Sequence, residues 1–218
     1  EGHRVEFEND DRDQALTFKG VVFNEMKGAM SSTPSVLWDR LCFELFPSNT
    51  YHFNSGGDPE AIPDLTYQQL RDFYAEHYHP SNAIFLTFGD IPAADHQRVF
   101  ESAVLHRFDA LNRKVEVALE TAFTEPRSAT HTYAMDPEED IQNKTHLIMG
   151  WKLGESADLT AMLEAQLVAS VLMENSASPL MHYLETTTLG TAPSPLCGLE
   201  ESMREMVFCC GIEGSDIT

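Results

Sequence analysis

Residues 144–173 read KTHLIMGWKLGESADLTAMLEAQLVASVLM, and this stretch decides the fold class. Lys144–Leu153 has the character of a strand. Leu159–Met173 has the character of a strong helix. A second helix is expected over about Pro179–Thr187 and a last strand over about Arg204–Gly211. Thr130–Met135 reads as a further strand.

The first half of the chain repeats the mixture. Thr33-Pro34 opens a helix, with Thr33 as its cap and the proline in its first turn. Leu37, Leu41 and Leu45 lie at i, i+4, i+8, so one broad face is buried, and Pro47 stops the helix. Thr66 with Gln69 spells a capping box for a helix whose stripe is Leu70, Phe73, Tyr74 and Tyr78. Residues 83–89, AIFLTFG, read as a buried strand, and 92–108 as an amphipathic helix. Residues 1–14 are charged enough to read as a loop, and 16–30 as a helix broken near Gly28. The expected fold is α+β, with helices layered on a mixed or antiparallel sheet. The change of character over 109–130 places a domain boundary near residue 120, giving domains 1–120 and 121–218.

Bulk composition narrows the function classes. Apolar residues are 42% of the 218 and charged residues 22%, so a buried core is expected. The net charge of −21 disfavours nucleic acid and anionic membranes and favours basic peptides as partners, although it also fits a plain solvated surface. No apolar run is long enough to span a membrane. A soluble location, cytoplasmic or in an organellar matrix, is expected. The four cysteines, Cys42, Cys197, Cys209 and Cys210, form no C-x-x-C pair and read as buried free thiols. In a strand, Cys209 and Cys210 would face opposite ways.

Local chemistry is sparse. Zinc peptidases place two histidines one helical turn apart, as H-E-x-x-H or H-x-x-E-H, so that both imidazoles reach one metal. Neither pattern occurs. Phe73–His77 and His182–Thr186 each miss it by one imidazole and read as ordinary helix positions. His77 and His79 flank a helix end, where a surface role suits them better than ligation. There is no G-x-S-x-G elbow, and Ser55-Gly56-Gly57-Asp58 lacks the lysine of a phosphate loop and reads as a tight turn.

Four blocks in order carry a resemblance. They are Gly20-Val21-Val22-Phe23-Asn24-Glu25-Met26-Lys27-Gly28, then Leu45-Phe46-Pro47 with Asn49-Thr50-Tyr51, then Ser55-Gly56-Gly57-Asp58-Pro59, then His77-Tyr78-His79-Pro80-Ser81-Asn82-Ala83. Ser178-Pro179-Leu180, Gly190 and Ser194-Pro195 extend them. Together they resemble the pitrilysin/insulinase family of zinc metallopeptidases, in its presequence-protease branch. The resemblance implies that Glu25 matches the family's distal zinc ligand. The apolar neighbours Val21, Val22, Phe23 and Met26 make an unpaired carboxylate there costly, which is compatible with a metal, while a solvent-facing Glu25 is the plain alternative. The resemblance places H-x-x-E-H upstream, beyond the 24 residues that precede Glu25, so the chain would hold no catalytic residue and one zinc ligand. It further implies a fragment of an endopeptidase that degrades short unfolded peptides in a closed chamber, inactive by itself. The alternatives are a non-catalytic assembly homologue and an independent acidic peptide-binding module.

Overall fold

The run Met206-Val207-Phe208-Cys209-Cys210-Gly211-Ile212 has no polar side chain, which suits a strand covered on both faces. In the computed structural model, which describes residues 2–112 and 115–216, it is the middle of β6 (Glu205–Ser215). β3 (Thr145–Glu155) pairs antiparallel along one side of β6, with Met149 opposite Cys210 and Trp151 opposite Phe208. β4 (Ala192–Pro193) and β5 (Gly198–Glu200) pair antiparallel along the other side. The α+β expectation holds, with antiparallel pairing throughout the described strands.

Both sheet faces carry helices. α2 (Thr33–Leu45) lies on the face of Ile148, Val207 and Cys209, and buries Cys42, Leu45 and Phe46 there. α5 (Leu159–Met173) and α6 (Pro179–Thr186) bury Met173 and Leu184 against Cys210 and Ile212 on the other. Cys209 and Cys210 therefore do face opposite cores, as strand geometry requires. Burial pushes the thiols of Cys42 and Cys209 up to about 12, with nearby acidic groups and thiols adding to the shift. Both stay protonated and inert at neutral pH.

Local signals explain the element ends. Asp158 caps α5, its Oδ1 accepting from the amides of Thr160 and Ala161 at 3.0 and 3.2 Å. Pro179 opens α6. Pro34 opens α2, but the cap is Ser32, and Thr33 is already helical. Close approach explains Gly211: a Cβ there would stand 2.1 Å from the Leu147 carbonyl oxygen.

The chain forms two spatial units, residues 1–62 with 117–218 and residues 63–116. The boundary near residue 120 concerned homologous domains; the spatial division falls at 62/63 and 116/117. In the larger unit, the expected loop over 1–14 and helix over 16–30 are replaced by a hairpin. β1 (Arg4–Phe7) pairs with β2 (Leu16–Lys19), and α1 spans only Val21–Ala29. Glu6 bonds both Arg4 and Lys19, at 2.7 and 2.9 Å, so the charges that suggested a loop bind the strands together. Residues 130–135 are not a strand, since no described segment pairs with them.

Within the smaller unit, α3 (Tyr67–His77) begins at the expected Thr66–Gln69 capping box, and α4 spans Ala93–Ala103. The buried strand expected at 83–89 is absent: Ile84 is 95% exposed and Leu86 86%. A buried strand needs neighbours on its edges, and no described residue of this unit is in a strand. The stripe of Leu70, Phe73, Tyr74 and Tyr78 is present on α3 and its neighbouring turn but exposed.

Within the larger unit a polar clamp holds residues 117–123 in place. Glu120 is buried and accepts from the Ser48 amide and hydroxyl, both at 2.8 Å, and from the Thr121 amide at 3.0 Å. Its own amide donates to Glu205 at 2.7 Å. Asn49 donates to the Ala118 carbonyl at 3.2 Å, and Lys152 to the Thr121 carbonyl at 2.9 Å. Lys152 also lies 4.3 Å from the centre of the Phe123 ring. Burial raises the Glu120 carboxyl, but the Ser48 and Thr121 hydrogen bonds and the Lys152 charge outweigh it, and the net shift is downward.

Two outcomes follow. Gly211→Ala should destabilise the chain by about 1–3 kcal/mol, seen as an earlier chemical-denaturation midpoint, because backbone must shift. Glu120→Gln should cost about 2 kcal/mol by losing charge-assisted bonds. Because folding lowers this carboxyl, its contribution is complete above its ordinary value of 4.5 and fades as pH falls through the folded value below that. Denaturation midpoints of wild type and Glu120→Gln should therefore converge in acid.

Candidate metal-ligand site on the first helix

The turn from β2 into α1 depends on Gly20. Its φ is 143°, and a Cβ would sit 2.6 Å from the His3 Cα. Gly20 accepts from the Asn24 amide at 2.9 Å, and Phe23 donates its amide to the Gly2 carbonyl at 3.1 Å. α1 then turns Met26 inward, where it is buried, and leaves Glu25 and Lys27 exposed.

Two of the recognised blocks meet at Met26. A Cβ on Gly56 would lie 2.1 Å from the Met26 sulfur, so this glycine is the floor on which α1 rests. Gly57, at φ 92°, completes the turn, and its amide bonds the Asn54 carbonyl at 3.0 Å. The other blocks also do structural work. Phe46 is wholly buried, and the Tyr51 ring lies 5.4 Å from it. The Tyr51 hydroxyl accepts from the Arg204 amide at 2.8 Å. In the smaller unit, Asn82 caps the end of α3 by donating to the His77 carbonyl at 3.3 Å, and His79 Nδ1 accepts from the Ser81 amide at 3.1 Å.

Glu25 has no such task. Its side chain makes no hydrogen bond or ion pair among the described residues. The argument from burial beside apolar neighbours does not apply, because the helix exposes Glu25 together with Val21 and Val22. A solvated carboxylate keeps its charge at little cost and stays available to a cation. No group of three or more His, Cys, Asp or Glu side chains among the described residues could hold a metal, so these residues do not form a zinc site by themselves. His77 approaches the Phe73 ring at 4.3 Å and His79 the Phe108 ring at 5.1 Å, and neither joins a donor cluster.

Comparison with known proteins settles the kinship. A family model described as "Peptidase M16 inactive domain" matches residues 64–212. The chain belongs to the M16, or pitrilysin, peptidase family. "Presequence protease, mitochondrial" of Xenopus tropicalis is 37% identical over 98% of the chain and 21% of its own length. The protein of the same name from Yarrowia lipolytica is 33% identical over all of the chain and 22% of its own length. "Protein HypA" of Clostridium perfringens is 28% identical over the whole chain. The chain thus spans about one fifth of the length of the curated relatives it matches. No helix among the described residues is long and apolar enough to cross a membrane.

No local motif marks one further feature. A polar cavity of about 550 Å³ is lined by Tyr133, Asp136, Glu139, Lys144, His146 and Glu213, among others. Lys144 pairs with Glu139 at 3.1 Å inside it. Its walls come from the start of α2, the loop before β3, the start of β3, Thr191 and the end of β6, which no local motif links.

The different duties of neighbouring residues can be measured. Met26→Ala should cost about 2–5 kcal/mol of stability by emptying the space above Gly56. Glu25→Gln should change stability by no more than about 0.5 kcal/mol. Equal losses would mean that Glu25 serves the fold.

Proposed function

We propose that this chain is part of a zinc-dependent endopeptidase that degrades short unfolded peptides in a closed chamber, and that Glu25 is one of its zinc ligands. The observation that carries the reading is a carboxylate held outward on α1, free of structural duties, within a chain of the M16 family. Two nitrogen donors and the general base would come from an H-x-x-E-H helix elsewhere in the polypeptide. Zinc, when bound, polarises an amide carbonyl and makes water a nucleophile near neutral pH. The part of this chain is to fix Glu25: Gly20 sets the turn, and Met26 on Gly56 sets the height of the helix.

Residues 1–120 would belong to the later part of the first peptidase domain and 121–218 to the early part of a second, homologous one. The acidic balance suits basic peptides, and a mitochondrial location fits the names of the relatives. A 218-residue product would be inactive. A second reading, a non-catalytic assembly homologue, draws on the matched model being described as an inactive domain.

The full-length protein distinguishes them. It should hold one zinc per molecule by elemental analysis and cleave an unstructured presequence peptide, with loss of cleavage on chelation. Glu25→Gln should weaken zinc affinity and activity by more than about 100-fold, since even outer-shell partners cost 10–100-fold. Normal zinc and activity in that variant would overturn the ligand role; absence of both in wild type would leave the assembly reading.

A further inference from the structure

The turn between β4 and β5 brings two of the four thiols to one place. β4 pairs Pro193 with Ile212 and β5 pairs Gly198 with Cys209, so five steps on this side run against three on β6. The surplus is taken up by Ser194-Pro195-Leu196-Cys197, a turn closed by the Cys197 amide, which donates to the Ser194 carbonyl at 3.1 Å. Cys197 leaves the turn one position before the Gly198–Cys209 pair, beside Cys210.

The polar groups of Gly211 fix the kind of pairing. Its carbonyl accepts from the Ser194 amide at 2.9 Å and its amide donates to the Cys197 sulfur at 3.3 Å, so both face this side. Backbone groups alternate along a strand, so those of Cys210 face β3, where Met149 stands opposite. Cys197 and Cys210 therefore occupy a non-hydrogen-bonded position, at which Cα atoms of antiparallel strands lie about 4.5 Å apart. Disulfides bridge Cα atoms about 4.4–6.8 Å apart. Both side chains lie on one sheet face, in the core of Met173, Leu184 and Ile212. Cys42 and Cys209 belong to the opposite core and do not compete. Cys210 is buried, whereas Cys197 is partly exposed and open to a small reagent.

We infer that Cys197 and Cys210 form a reversible disulfide by exchange with a small-molecule disulfide, a redox-sensitive clip independent of the zinc chemistry. The Cys197 thiolate attacks one sulfur of the oxidant and expels a small thiolate, leaving a mixed disulfide. The Cys210 sulfur then attacks the Cys197 sulfur and expels the second small thiolate. The two protons lost by the protein end on the two released thiols, and the S–S bond of the oxidant is the one reduced. Burial holds the Cys197 thiol above its ordinary value of 9.0, against the opposing hydrogen bonds of the Gly211 and Ser194 backbone, so the exchange is slow at neutral pH. The new bond fastens the turn to β6 and restricts the unfolded chain.

Disulfide mapping on the folded full-length protein tests it. The protein is incubated with oxidised glutathione, its remaining thiols are alkylated, and the chain is cleaved after Arg204, which lies between the two cysteines. Mass spectrometry should find the flanking peptides joined through Cys197 and Cys210, lighter than the separate peptides by two hydrogens and parted again by dithiothreitol. Cys197→Ser and Cys210→Ser should each abolish the joined species, and Cys42→Ala should leave it. Its formation should quicken by about tenfold for each pH unit between 7 and 9, as the thiolate fraction of Cys197 rises. The oxidised protein should also unfold at a higher denaturant concentration than the reduced one. A lasting glutathione adduct on Cys197 would overturn the inference. So would full alkylation of both cysteines after oxidation, a join to any other cysteine, or a join that forms only once the protein is denatured.

Discussion

β6 is buried on both faces, and the larger unit is organised around that constraint. A strand can be sealed on two faces only if each receives its own apolar layer. Val207 and Cys209 demand one, supplied by α2; Cys210 and Ile212 demand the other, supplied by α5 and α6. These layers come from opposite ends of the chain. Among the described residues, 33–46 build one core and 159–184 the other, and each closes on this strand, so the N-terminal part cannot form its core without the C-terminal part.

The candidate site inherits its position from that arrangement through several steps. The burial of Phe46 under β6 holds the start of the loop that follows α2. That loop presents Gly56 and Gly57, Gly56 receives Met26, and Met26 turns Glu25 outward. Three of the four blocks that resemble a peptidase family thus meet in this series of supports. Their job is backbone geometry and packing, while Glu25, the proposed ligand, has no packing role.

Legibility in the sequence followed how local each cause is. The limits of α5 and α3 were readable because Asp158 and the Thr66–Gln69 box act within a few residues. The β1–β2 hairpin was not, because its charges read as solvation until Glu6 is seen across from Lys19. AIFLTFG has strand composition, yet a strand exists only with a partner, and no described residue pairs with this segment. Glu25 was singled out through resemblance alone; its exposure on α1 is a matter of helix phase that composition did not show. The Glu120 clamp joins Ser48 to Glu205 across most of the chain, a contact no window of sequence contains.

That clamp also bears on how the family can vary in length. The smaller unit leaves the larger one just after buried Ile62 and returns just before buried Glu120. Both points of attachment are held by their own bonds, whatever lies between them. The entropy of closing such an excursion grows only with the logarithm of its length, by about 0.6 kcal/mol per doubling. Residues can therefore be added to or trimmed from this excursion over evolutionary time while the sheet and the turn bearing Glu25 keep their register.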